Sequence, residues 1–191
     1  MSPARTLTFV AALMVASFAA EAVQGQPRDG SAPGRETARQ HVRCLDARAE
    51  RLLAQAVGRS ATVKALVARL DDTDVVIYVT TTAPLDRVVA MPRGTATLVT
   101  ATAAARYLQV WVDVQRREAE RIAVLGHEVQ HALEVAADAS VRDAQSYSRL
   151  FERLGSESGA GAGRAGSRRF ETAMAKDIEA RVLVEVAQTR R

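Results

Sequence analysis

Apolar residues recur at helical spacing in the early and late parts of the chain, with a different period between them. Valine, leucine and alanine recur every three or four positions over 36–57, which predicts a helix. Ser60 suits the N-cap of a second, short helix that would end at the acidic segment 71–74. A Gly- and Ser-rich loop is predicted at 155–167. Further helices are predicted at 118–138, 141–154 and 170–187.

The middle of the chain has the residue types and the period of β-strands. Residues 75–82 are β-branched and aromatic, and 95–102 and 106–113 also read as strands. In the last of these, leucine or valine occupies every second position, as in a half-buried strand. A turn at 92–94 and short connections favour an antiparallel meander. The pattern therefore predicts an α+β fold, with a small, mostly antiparallel three-stranded sheet packed with about five helices.

The N-terminal segment has the features of a targeting sequence. Arg5 precedes an apolar stretch at 7–20, which suits a signal peptide and is short for a membrane span. A small-x-small pattern at 20–22 predicts cleavage after residue 22, with an uncleaved anchor as the alternative. The polar residues 23–35 would form a flexible leader. Residues 36–191 would then be one exported domain, periplasmic or secreted, with no stable membrane span.

Composition and charge exclude few classes of protein. The 191 residues are 48% hydrophobic, which is enough for one domain with a packed core. The net charge of +4 is spread among interleaved charges, and no basic stripe with stacking aromatics occurs, so a nucleic-acid partner is not predicted. Cys44 is the single cysteine, which excludes an internal disulfide, and we expect it to be buried on a helix.

The most informative motif is the run His-Glu-Val-Gln-His at 127–131, which spells H-E-x-x-H inside an apolar helical stretch. Residues four apart lie on one face of a helix, so His127 and His131 can reach the same metal ion. Glu128 is turned by about 100° from His127, where it can exchange protons with a bound water. Of the three histidines in the chain, two fall in the motif, and His41 is expected at the surface or in the core. The motif predicts a Zn²⁺ site with Glu128 as the catalytic base.

A catalytic zinc usually has three protein ligands, so a third must come from elsewhere. In the metzincin branch of H-E-x-x-H proteases a glycine and then a ligand follow, but Glu134 and Ala137 occupy those positions here. Two later carboxylates compete. Glu152 lies opposite the apolar face of its helix and is expected in solvent. Glu171 lines up with Met174 and Ala175 on the inward stripe of the last helix. An unpaired carboxylate there costs several kcal/mol, so Glu171 is the preferred ligand.

Segment 125–132, which contains the motif, resembles the active-site helix of zincin metallopeptidases. The nearer resemblance is to the gluzincin branch, typified by thermolysin. It implies a zincin-like fold, a third ligand that is a glutamate on a later helix, and hydrolysis of a peptide or protein substrate. It also implies that a sheet-edge strand beside the metal pairs with the extended substrate. Segment 106–113, just before the motif helix, would lie near that position.

Other residues near the motif could support the site. Glu134 and Asp138 project within about 20° of His127, so either could accept an imidazole N–H, although Asp138 more simply marks a polar helix end. Tyr147 is a candidate oxyanion donor by residue type, but its place on an apolar helix face favours the core. Gly126 would allow a strand or a substrate to approach closely.

The first hypothesis is therefore an exported zinc metallopeptidase. A zinc-binding envelope protein with a zincin fold and no protease activity is the second, and a structural helical domain with a chance motif is the third. The sequence indicates no particular oligomeric state.

Overall fold

The computed structural model describes residues 40–81, 93–157 and 170–189. The predicted signal peptide at 1–22 and the leader at 23–35 lie outside these ranges, as does most of the predicted Gly- and Ser-rich loop. The elements in chain order are β1 (Val42–Cys44), α1 (Ala47–Arg59), α2 (Ala61–Asp71), β2 (Val75–Thr80), β3 (Gly94–Ala101), β4 (Arg106–Val112), α3 (Glu118–Ala137), α4 (Ala144–Leu154), β5 (Gly155–Glu157), β6 (Phe170–Thr172) and α5 (Ala173–Gln188). The prediction of an α+β chain with about five helices is confirmed.

The main sheet has four strands in the order β1-β2-β4-β3, so the predicted three-stranded, mostly antiparallel meander is wrong. β2 runs parallel to both β1 and β4, whereas β3 forms an antiparallel edge against β4. Burial explains the arrangement: β2 is buried at nearly every position and needs a strand on each side. β3 mixes exposed and half-buried residues, which suits an edge. β5 and β6 form a separate two-stranded sheet.

The first helix begins later than predicted because a short strand precedes it. The carboxylate of Asp46 accepts the backbone N–H groups of Arg48 and Ala49 and thereby caps α1. It also accepts hydrogen bonds from the N–H and hydroxyl of Thr81, at 2.8 Å each, which ties the start of α1 to the end of β2. Cys44 consequently lies half-buried on β1 rather than buried on a helix.

Helix α3 carries the motif through the centre of the molecule. It packs against α5 and α2 and against the sheet, and it is buried without interruption from Ile122 to Leu133. A Cβ placed on Gly126 would lie 3.2 Å from methyl groups of both Val63 and Val182. Gly126 therefore lets α2 and α5 approach, rather than a strand or a substrate. Within the described ranges, no helix combines the length and the apolar character needed to cross a bilayer.

The C-terminal end of α3 is held by a buried arginine. Arg106, the first residue of β4, is only 1% exposed. Its guanidinium donates to both carboxylate oxygens of Asp74, at 2.5 and 3.0 Å. It also donates to the carbonyls of Val135, Ala136 and Asp138, at 2.6, 3.1 and 2.7 Å. The last carbonyls of a helix lack the usual N–H partner four residues further on, so the Arg106 guanidinium completes the end of α3 and fixes the motif helix to the sheet.

Candidate metal centre

Helix α3 directs both motif histidines at one point. Nε2 of His127 lies 3.0 Å from Nε2 of His131, and both side chains are buried. Oε2 of Glu171 lies 2.9 Å from Nε2 of His127, and the three possible ligand atoms all lie within 4.8 Å of one another. Ligand atoms around a tetrahedral zinc are about 3.3 Å apart, so the set fits one ion after small side-chain rotations. The structure thus brings together the three residues that the sequence nominated.

Glu171 reaches the histidines from a strand and not from a helix. It lies on β6 opposite Ser156, and α5 begins only after Thr172, whose hydroxyl accepts the backbone N–H of Ala175. Met174, expected on the inward stripe with Glu171, is 57% exposed. The predicted place of Glu171 on the last helix is therefore wrong, because the N-cap at Thr172 leaves Glu171 in the preceding hairpin. Glu152 is exposed on α4, outside this cluster.

A second carboxylate orients His131. Oε2 of Glu134 lies 2.8 Å from Nδ1 of His131, while its Oε1 accepts the hydroxyl of Thr172 at 2.7 Å. An Nδ1 proton directed at Glu134 leaves Nε2 of His131 as the free electron pair for a metal. Because Thr172 follows Glu171 directly, Glu134 also fixes the segment that carries the third ligand. Of the two residues that the sequence offered for this role, Asp138 instead caps the end of α3 and pairs with Arg153.

Replacing Glu134 with alanine is expected to weaken zinc binding by roughly 10- to 100-fold, the usual effect of losing a carboxylate behind a ligand histidine. Competition with a chromophoric chelator measures the affinity. Glu120→Ala, on the same helix, is the matched control and should bind zinc as the wild type does. Equal affinities in the two variants would show that Glu134 does not orient His131.

A further carboxylate near the site, that of Glu179, was not predicted from the sequence. Its Oε2 lies 3.2 Å from Nδ1 of His127, close enough for a hydrogen bond but poorly aligned for one, so the contact is an ion pair. Arg93 donates to Glu179 from two guanidinium nitrogens, at 2.5 and 3.3 Å. A signal was present, because Glu179 follows buried Ala175 by one helical turn and precedes buried Val182 by three residues. Glu179, and not Glu171, is thus the carboxylate on the inward stripe of the last helix.

Negative charge surrounds the two imidazoles. Burial alone would lower the pKa of His127, but the Glu171 and Glu179 carboxylates outweigh it and raise that pKa to about 10. The contact with His127 in turn lowers the pKa of Glu171 and of Glu179 despite their partial burial. Burial raises the pKa of Glu128 to about 7, although both motif imidazoles oppose the shift. Such an excess of carboxylates around two histidines favours a cation.

Glu128 lies between the motif helix and the edge strand. It is 5% exposed, and its interaction with the backbone N–H of Ala96 on β3 lowers its pKa against the effect of burial. A Cβ on Gly94 would lie 2.7 Å from Oε1 of Glu128 and 2.4 Å from Val124, so only glycine lets β3 pass this close. The hydroxyl of Tyr147 donates to the carbonyl of the same Ala96 at 2.7 Å.

The edge strand beside the site is β3. The resemblance had suggested segment 106–113, which is β4. β4 lies between β2 and β3 and uses both of its edges for pairing. Among the described residues β3 pairs only with β4, and it contacts α3. Of the two edge strands that the described part of the main sheet has, β1 and β3, it is β3 whose Ala96 interacts with Glu128.

Comparison of the chain with protein-family models, with curated proteins and with solved structures finds no match.

Proposed function

We propose that this protein is a zinc-dependent metallopeptidase with a zincin-like catalytic domain, exported to the periplasm or secreted. His127, His131 and Glu171 would bind Zn²⁺, and Glu128 would act as the general base. The observation that carries the proposal is the convergence of three ligand atoms, from α3 and from β6, within 4.8 Å of one another. Two of them come from the H-E-x-x-H motif, whose glutamate lies buried alongside.

The chemistry follows from the environment of each residue. A bound Zn²⁺ would polarise a carbonyl and lower the pKa of its water. Glu128 would accept the proton of the attacking water and pass it to the leaving amine. Burial raises the pKa of Glu128, which favours proton uptake by this carboxylate. Glu134 and Glu179 would hold the two imidazoles in place.

The position of β3 supports a peptide as the substrate. Its free edge offers backbone groups beside the metal centre, and a peptide could bind there as an added antiparallel or parallel strand. The interaction of Ala96 with Glu128 supports this, because it brings the carboxylate that we propose as the base to the same edge. A substrate held along β3 would present its backbone carbonyls next to Glu128.

The second candidate is a zinc-binding envelope protein of similar fold without protease activity. Its support is the closed state of the site: both histidines and Glu128 are buried, and the Ala96 carbonyl is already bonded to Tyr147. Activity separates the candidates, since a zinc-loaded protein inert towards a broad peptide library would favour the binding protein.

Metal analysis of purified protein tests the centre directly. The wild type is expected to retain stoichiometric zinc, and Glu171→Ala is expected to lose most of it because two histidines alone bind weakly. Glu152→Ala is the matched control, since this exposed glutamate was the other candidate ligand. Zinc retained in Glu171→Ala, or absent from the wild type after supply of the metal, would refute the proposed ligand set.

A further inference from the structure

Ala96 offers both of its backbone polar groups to the free edge of β3. The N–H of Asp113 donates to the carbonyl of Arg93, so the alternate residues that start at Arg93 face β4. Gly94 and Ala96 consequently face away from β4. The partners of Ala96 agree with this, since its N–H interacts with Glu128 and its carbonyl accepts the Tyr147 hydroxyl.

Tyr147 comes from α4, which packs against the hairpin of β5 and β6 that carries Glu171. Its ring packs on Phe151, with 4.8 Å between ring centroids, and Phe151 packs edge-on against His131 at 5.0 Å. Burial raises the pKa of the phenol, and the carboxylates of Glu128 and Glu134 raise it further. The hydroxyl is therefore a protonated donor, and it links α4 to the edge strand β3.

We propose that the Tyr147 hydroxyl is a placeholder on the Ala96 carbonyl, which an extended peptide displaces when its own backbone N–H pairs there. The inference rests on the proposed peptide binding at β3. The Ala96 carbonyl faces away from β4, so the Tyr147 hydroxyl and an added strand would approach it from the same side of β3. Tyr147 thus competes with the ligand for one hydrogen bond.

The competition defines a requirement for the ligand. The residue that replaces Tyr147 must carry a backbone N–H, because a peptide without one would leave the Ala96 carbonyl unpaired. Proline and N-methylated residues lack this group. The site therefore selects extended peptides that have an ordinary, non-proline residue opposite Ala96.

Calorimetric binding of a zinc-chelating tripeptide hydroxamate to the zinc-loaded protein tests the placeholder. Tyr147→Phe keeps the ring and removes only the hydroxyl, so it should bind the peptide roughly 2- to 10-fold more tightly than the wild type, as expected for one neutral hydrogen bond. We then compare analogues of this peptide that carry a methyl group on one backbone nitrogen each. The analogue methylated at the nitrogen that pairs with the Ala96 carbonyl should bind Tyr147→Phe no more tightly than it binds the wild type. Tyr107→Phe, on β4 away from the site, should bind as the wild type does.

Three results would overturn the placeholder: equal affinity of wild type and Tyr147→Phe, a gain that survives methylation at every position, or a lower kcat at unchanged KM. The last would mean that the hydroxyl acts on the reacting atoms. Binding needs no turnover, so the two proposals fail separately. Tighter binding without hydrolysis would support the placeholder and refute the peptidase. Hydrolysis with the same KM in both proteins would support the peptidase and refute the placeholder.

Discussion

Replacing Glu128 with glutamine is expected to lower kcat for peptide hydrolysis by roughly 10²- to 10⁴-fold, the contribution of a positioned general base. Glutamine has the same shape and can still accept the Ala96 N–H, but it cannot take a proton from water. Zinc should remain bound at the wild-type stoichiometry, because Glu128 is not among the three residues whose ligand atoms converge. Single-turnover hydrolysis and metal analysis of the same preparation measure both quantities.

The control for this variant is Glu152→Gln, which changes the same functional group on the exposed face of α4 and should leave kcat intact. Thermal unfolding shows whether the fold is preserved. We expect Glu128→Gln to unfold at or slightly above the wild-type temperature, since the buried carboxylate carries a desolvation cost that the amide avoids. Hydrolysis at the wild-type rate by Glu128→Gln would remove this residue from the mechanism.

Replacing Arg106 with methionine is expected to destabilise the fold by about 3–5 kcal/mol, the usual cost of removing one partner from a buried ion pair. The loss is large because the guanidinium serves Asp74 and three carbonyls at the end of α3. For a domain of this size we expect a fall in Tm of roughly 6–20 °C. Calorimetry and urea unfolding measure the change.

Arg142→Met is the matched control, because Arg142 lies 3.9 Å from the same Asp74 but is 43% exposed. An exposed pair of this kind contributes about 0–1 kcal/mol.

The Arg106 guanidinium holds the pKa of Asp74 below its usual range. The pair therefore stabilises the fold fully above the unfolded-state pKa of about 3.9, and the contribution is lost as the pH falls through the folded-state value. The gap between wild type and Arg106→Met should narrow below about pH 4; a gap that stays constant would contradict the ion-pair account.

Local periodicity predicted the elements whose pattern is long and regular. The motif helix, the short helix capped by Ser60 and the strands β2 to β4 lie within a few residues of their predicted bounds. β1 was missed because three residues are too few to show a period, and they merged with the helical pattern that follows. Strand pairing was also missed, since it depends on how much of each strand the whole fold buries and not on the length of the connections.

The site was predictable where its chemistry is local. His127, Glu128 and His131 form a single motif on one helix, so their spacing alone predicts their geometry. Glu171 was chosen on a helical argument that the structure contradicts, because one N-cap at Thr172 decides whether it belongs to β6 or α5. Glu179 was not predicted, because helical periodicity shows that a residue faces inward but not which side chain of another helix it meets.

The contact between Tyr147 and Ala96 has a consequence for the behaviour of the protein in concentrated solution. A flat, unpaired strand at a sheet margin is a template on which other molecules can polymerise. On β3 the phenol blocks one backbone position, and a bulge between Leu98 and Thr100 interrupts the regular ladder. Copies of the protein are thereby hindered from joining sheet to sheet. The Tyr147 hydroxyl that competes with a peptide would therefore also protect the protein against aggregation. Its removal would strengthen peptide binding and weaken that protection.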